Sequence, residues 1–130
     1  MDSGSIDFID WDNLGFDVVE TRSMYYATCH KNKEWKEGNI IPYGTIELSP
    51  AAGVLNYGQG VFEGTKAFRT MKDRVILFRP ELNATRMGSS TRRLCIPEIG
   101  KDFFLSAIEQ TLIDNIDYTP SKGKGSLYIR

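Results

Sequence analysis

Apolar residues recur with two different periods along this chain, and the change comes at Pro80. Ahead of it lie short runs rich in aromatic and β-branched residues. "SMYYATCH" (Ser23 to His30) and "GTIELSP" (Gly44 to Pro50), where Ile46 and Leu48 alternate with Thr45 and Glu47, both predict strands, since successive strand side chains face opposite ways. Pro42, Pro50 and the pair Gly38 and Asn39 punctuate them. "VFEGTKAFRT" followed by "DRVILFRP" predicts a hairpin turned at Met71, Lys72 and Asp73. The first half is therefore expected to be a sheet. Beyond it, proline is tolerated at a first helical position, and "ELNATRMGSSTRRL" follows with Gly88 as its only breaker, which predicts a helix. A second helix is predicted from Lys101 to Asp117, with Leu105, Ile108, Leu112 and Ile116 forming one stripe. "TPSKGKGS" predicts a loop, and "LYIR" (Leu127 to Arg130) the opening of another strand. The sequence stops inside that strand, so the expectation is a piece of a longer protein. The fold class expected is α+β, a mostly antiparallel sheet with two packed helices.

A chain of 130 residues is enough for one core and short for two. Its 41% hydrophobic and 25% charged residues are ordinary for a globular domain, and no apolar run approaches the roughly eighteen residues of a membrane span. Sixteen basic residues against seventeen acidic ones give a net charge of −1, without the basic field that holds nucleic acid. No nucleic-acid or membrane partner is expected. Cys29 and Cys95 lack the spacing of a zinc site or a disulfide scaffold and fit a reducing compartment. His30 is the only histidine, which removes most metal and Ser/His/Asp mechanisms, and it is expected in a polar surface turn with Lys31, Asn32 and Lys33. The first twenty residues carry six acids and no base, unlike a transit or signal peptide, so the expected compartment is the cytoplasm.

Three features could carry chemistry. On a helical wheel of about 100° per residue, setting Leu82 at zero places Arg93 near about 20° and Arg86 near about 40°, inside the arc of Leu82, Leu94 and Met87. A guanidinium there needs an anion. A protein carboxylate, a snorkelling path to water, or a bound anion with Ser89 or Ser90 as extra donor would each satisfy it. Tyr128 and Arg130 are two apart in a predicted strand and project from one face, a pairing of phenol and guanidinium suited to a carboxylate. Lys66 stands within the apolar run of "NYGQGVFEGTKAFR" and could be a nucleophile, a phosphate partner or a solvated side chain. "GKGS" fails the phosphate-loop pattern because Gly125 follows Lys124, and is expected to be a connector.

In order and spacing, "LNYGQGVFEGTKAFR", "LFRPELNATRM" and "GKGSLYIR" resemble the small N-terminal domain of branched-chain amino acid aminotransferases, pyridoxal 5'-phosphate enzymes of fold type IV, and are most similar to eukaryotic, plant-like members. The likeness runs from about Trp11 to Arg130. It implies that Arg86 contacts the cofactor phosphate, that Phe62 lines the pocket for the branched side chain, and that Tyr57 completes the pocket of a partner subunit. Tyr128 would bind the substrate α-carboxylate, and Arg130 the side-chain carboxylate of glutamate. Lys66 would be structural, since the family's Schiff-base lysine lies in a large C-terminal domain. Residues 1–130 would thus be the small domain of a homodimeric enzyme moving an amino group from leucine, isoleucine or valine to 2-oxoglutarate, and this chain alone would be inactive. No metal site is implied. Two alternatives remain at this point. One is another fold type IV enzyme, of the D-amino acid aminotransferase or aminodeoxychorismate lyase type, although these differ at "FEG" and "LYIR". The other is a non-catalytic short partner subunit.

Overall fold

A computed structural model of the chain describes residues 6–30 and 34–130. Two separate antiparallel ladders replace the single expected sheet. Strand β1 (Ser23–Tyr26) pairs with β2 (Asn39–Pro42), with Met24 opposite Ile41 and Tyr25 opposite Ile40. Strand β3 (Thr65–Arg69) lies between β4 (Val75–Leu77) and β5 (Leu127–Ile129). Its alternation is clean: Thr65 and Ala67 are buried, while Lys66 and Phe68 are exposed. The β3–β4 turn is closed by the amide of Thr70 donating to the carbonyl of Arg74 at 2.8 Å. Asp73 takes the positive φ of 55° that this turn needs, and aspartate tolerates that conformation well.

The helices are α1 (Gly53–Tyr57), α2 (Pro80–Arg93) and α3 (Lys101–Asp114), followed by a 3₁₀ turn at Ile116–Tyr118. Helix α2 has proline at its start, Glu81 in its first turn and Arg92 and Arg93 in its last, so its charges suit its dipole. A small apolar core of Ala67, Ala84, Ile108 and Tyr118 joins sheet and helices. Tyr25 meets Phe103 edge to face at a centroid distance of 6.1 Å, which seats α3 on β1.

The end of α3 is where the polar structure concentrates. A helix leaves its last four carbonyls without partners; Arg22, just before β1, supplies one of them here, and Arg69 of β3 holds the turn that follows. Arg22 donates to the carbonyl of Asp114 at 2.9 Å, and Arg69 to those of Ile116 and Thr119 at 3.0 and 3.2 Å. Between them Asn115, 2% exposed, accepts from the Ser23 amide at 3.1 Å. Its own amide donates to the Ser23 hydroxyl at 3.0 Å and the Thr111 carbonyl at 2.8 Å. The chain leaving this knot is the one that returns as β5.

The structure departs from the sequence reading in other places too. Residues 44–50 form no strand, and Ile46 and Leu48 are exposed; alternation offers a face, but a strand also needs a ladder partner, and the edge of β1 is taken by 39–42. Helix α1 was not expected. Helix α3 ends at Asp114 rather than Asp117, where the tighter turn takes over. The buried side of α2 is Asn83, Ala84, Gly88 and Thr91, turned away from Leu82, so Arg86 and Arg93 are both exposed. Asn83 and Thr91 can be buried because their polar groups are satisfied, Thr91 by the carbonyls of Met87 and Gly88 at 3.0 Å each. His30 is exposed as expected, while residues 31–33 of its predicted turn lie outside the described residues. Among the described residues no helix is long and apolar enough to cross a membrane.

Replacing Asn115 by alanine orphans the buried Ser23 amide and removes several hydrogen bonds, and is expected to cost about 2 to 4 kcal/mol. Urea denaturation checks this, and a loss below about 1 kcal/mol would show that the knot is not what fixes α3 to β1.

Candidate functional site

Residues 62–64 lead into β3 and each does something different at one spot. Glu63 is the pivot. Its carboxylate accepts from the Arg86 guanidinium at two points, through Nε to Oε1 and through Nη2 to Oε2 at 2.7 Å. Asn83, one turn before Arg86 on α2, donates from the same Nδ2 to Glu63 Oε2 and to the Gly64 carbonyl, each at 2.9 Å. Burial is asymmetric. The Glu63 side chain retains 8% of its exposure and that of Arg86 63%. A nearly buried carboxylate thus grips an exposed cation by one edge, while Nη1 has no protein partner among the described residues.

The electrostatics follow the geometry. The hydrogen bonds from Arg86 hold the Glu63 carboxyl below its ordinary value of 4.5; burial works against them, and Asn83 and the Arg86 charge add to the lowering. The Arg86 guanidinium is raised in turn by the hydrogen bond and charge of Glu63.

Tyr128 reaches the same spot from β5. It stands opposite Lys66 across the ladder, so both lie on the open face of the sheet, and its ring leans over Gly64. Arg130 is exposed and lies one residue beyond the end of β5, so the expected strand reaches only Ile129. Phe62 is 75% exposed. Arg86 thus meets Glu63 and the Tyr128 ring meets Gly64, while Phe62 precedes them in the chain. Tyr57 ends α1, which Gly58 stops with a φ of 61°, and its ring is exposed with no contact to that cluster described. Lys66 is exposed, as a solvated side chain would be. Ser89 spends its hydroxyl on the Thr85 carbonyl at 3.3 Å, so it offers Arg86 no help. "GKGS" forms a turn in which Gly123 and Gly125 take positive φ, a connector as expected.

Glu63, Asn83 and Gly64 were missed by the sequence reading. The pairing of Glu63 with Arg86 spans 23 positions, beyond any helical or strand spacing. The one available signal was that a guanidinium on an apolar arc needs an anion and that "FEG" holds an acid. Among the described residues there is no grouping of three or more His, Cys, Asp or Glu that could hold a metal. The donors that remain, an open guanidinium edge on Arg86 and the Tyr128 phenol with Arg130 just past the end of its strand, suit anionic ligands such as phosphate and carboxylate.

Known proteins similar to this chain agree with one another. It is 48% identical over 122 residues to "Branched-chain-amino-acid aminotransferase 2, chloroplastic" of Arabidopsis thaliana, covering 94% of this chain and 31% of that protein. It is also 48% identical over 122 residues to "Branched-chain amino acid aminotransferase 1, mitochondrial" of Humulus lupulus, with the same coverage. "Methionine aminotransferase BCAT4" of Arabidopsis thaliana is 43% identical over 122 residues, 94% of this chain and 34% of that protein. The chain thus spans about a third of the length of the curated relatives it matches. No family model matches it. The cytoplasmic expectation is overturned: relatives named by compartment are chloroplastic or mitochondrial. The acidic composition of the first twenty residues describes only those residues and does not exclude a targeting leader.

Because the folded-state value of Glu63 is depressed, its pairing contributes stability in full above the ordinary 4.5 and loses it as pH falls through the lower folded value. A carboxyl-detected NMR titration is expected to place the Glu63 midpoint below 4.5 and to raise it when Arg86 is replaced by glutamine. A midpoint at or above 4.5 would contradict the clamp.

Proposed function

We propose that this chain, which belongs by sequence with the branched-chain amino acid aminotransferases, is the small domain of such an enzyme and supplies one wall of its site. Residues 1–130 would form that domain, with a large cofactor-holding domain outside them. The reaction would be reversible amino transfer from leucine, isoleucine or valine to 2-oxoglutarate, in a homodimer. The observation that carries the reading is the Glu63 clamp, which holds Arg86 by one guanidinium edge and leaves its Nη1 without a partner among the described residues.

The residues present fit pyridoxal 5'-phosphate at its phosphate end. Arg86 Nη1, without a partner among the described residues, would donate to a phosphate oxygen, and the grip of Glu63 spares the ligand the cost of ordering that side chain. When bound, the cofactor supplies the electron sink that amino transfer requires. This chain would do the holding. Tyr128 would donate its phenol proton to the substrate α-carboxylate, and Phe62 would shield the branched side chain from water. Arg130 would donate to the second carboxylate of glutamate, while Tyr57 would serve the site of the partner subunit. An apolar pocket with one guanidinium at its edge can take two unlike substrates in turn.

Two measurements on the intact natural protein test these roles. Arg86→Ala is expected to weaken cofactor affinity about 10- to 150-fold, the worth of one charge-assisted hydrogen bond of about 1.5 to 3 kcal/mol. The same loss should appear when Glu63 is also changed to glutamine, which removes the unpaired buried charge. Unchanged cofactor affinity would withdraw the assignment of Arg86. Arg130→Gln is expected to lower kcat/KM for glutamate by about 10-fold or more with little change for leucine. An equal loss on both substrates would mean that Arg130 does not read the second carboxylate.

A further inference from the structure

We propose that Gly64 is a positioning residue for substrate binding: its missing side chain is the space in which the Tyr128 phenol is held. The inference rests on the reading that Tyr128 binds the substrate carboxylate, and adds what determines where that hydroxyl sits.

The close approach is between backbone and ring. A Cβ at Gly64 would lie 2.1 Å from Tyr128 Oη, 2.6 Å from Cε2 and 2.7 Å from Cζ, well inside van der Waals contact. The backbone at 64 is not in the left-handed region, so an alanine meets no conformational penalty there and its whole effect is the collision. One of the two partners must move. Gly64 cannot readily do so. Its carbonyl accepts from Asn83 at 2.9 Å, the residue before it is gripped by Arg86, and the residue after it pairs with Ile129. The ring can. Tyr128 is 51% exposed, and its hydroxyl has no protein partner among the described residues. A methyl group at 64 therefore swings the phenol outward with little loss of packing. The cost falls on whatever the hydroxyl was placed to bind. Because Asn83 bonds both the Glu63 carboxylate and the Gly64 carbonyl, the seat of the phenol is fixed to the same backbone that aims Arg86.

The test uses the intact natural protein carrying Gly64→Ala, Tyr128→Phe, or both, with 4-methylpentanoate, a leucine lacking its amino group, as a non-reacting carboxylate probe. In the crystal structure of Gly64→Ala the phenol oxygen is expected to move by more than about 1 Å, a displacement large enough to break a productive contact. Calorimetry is expected to show about 10-fold weaker probe binding for each single variant and no further loss in the double variant, because both remove one hydrogen bond. Cofactor affinity should stay within about twofold, since Arg86 is untouched. An unmoved ring, or losses that add in full, would overturn the proposal. Undiminished binding by Tyr128→Phe would instead sink the assignment of Tyr128, and with it the part Gly64 plays in binding. Should Gly64→Ala fail to fold, pairing it with Tyr128→Ala must restore folding if the ring is what the methyl meets. Failure of that pair would show that the methyl meets something else.

Discussion

A carboxylate with almost no access to water has to be surrounded by donors, and the Glu63 side chain sets the terms for everything near it. Three hydrogen bonds reach it, two from Arg86 and one from Asn83, and all come from one helix. The requirement of a single buried charge therefore orients α2 as a whole. It draws Asn83 into the interior, leaves Ala84 and Gly88 to make the close contact, and sends Leu82 outward. A helix positioned by its apolar residues alone would have turned the other way. Arg86 is not placed by the core; the acid it neutralises places it.

The second half of the site arrives by a longer route. β5 pairs with β3 across more than fifty residues of intervening chain, and its three residues would make a weak ladder by themselves. The segment before it is held where α3 ends, with Arg22, Arg69 and Asn115 occupying carbonyls that a helix would leave bare. Arg69 is itself the last residue of β3, so the strand that pairs with β5 also ties down the chain that feeds it. The phenol of Tyr128 is carried to Gly64 by this arrangement and not by any local preference of "LYIR".

The elements that could be read from the sequence were those whose signals lie close together. Proline ahead of a run broken only by Gly88 located α2, the Met71 to Asp73 turn located the hairpin, and the stripe from Leu105 to Leu112 located α3. Strand β2 was not legible, because "NIIP" is short and closes with a proline, and its partner β1 lies across a loop. The buried face of α2 was misread for a related reason: a wheel counts apolar side chains and gives no weight to Asn83 or Thr91, whose burial depends on partners that are remote or main-chain. Arg86 and Tyr128 were singled out by wheel and strand spacing before a resemblance of motifs gave them roles, and they meet neighbouring residues, Glu63 and Gly64. Their supports, Glu63, Asn83 and Gly64, carried no signal of their own, since each acts only through a neighbour supplied by the fold.

The unequal burial of the ion pair also sets an order on sequence change. Losing the acid first leaves an arginine that is already mostly in water, a mild event. Losing the arginine first strands a charge in the interior, which must then take up a proton or unfold its surroundings. Position 86 is thus protected twice over, by any anion it serves and by the carboxylate beneath it. A lineage in which that guanidinium bound nothing would still be expected to shed Glu63 before Arg86, so the persistence of the arginine in a descendant is a poor sign that a ligand is still held.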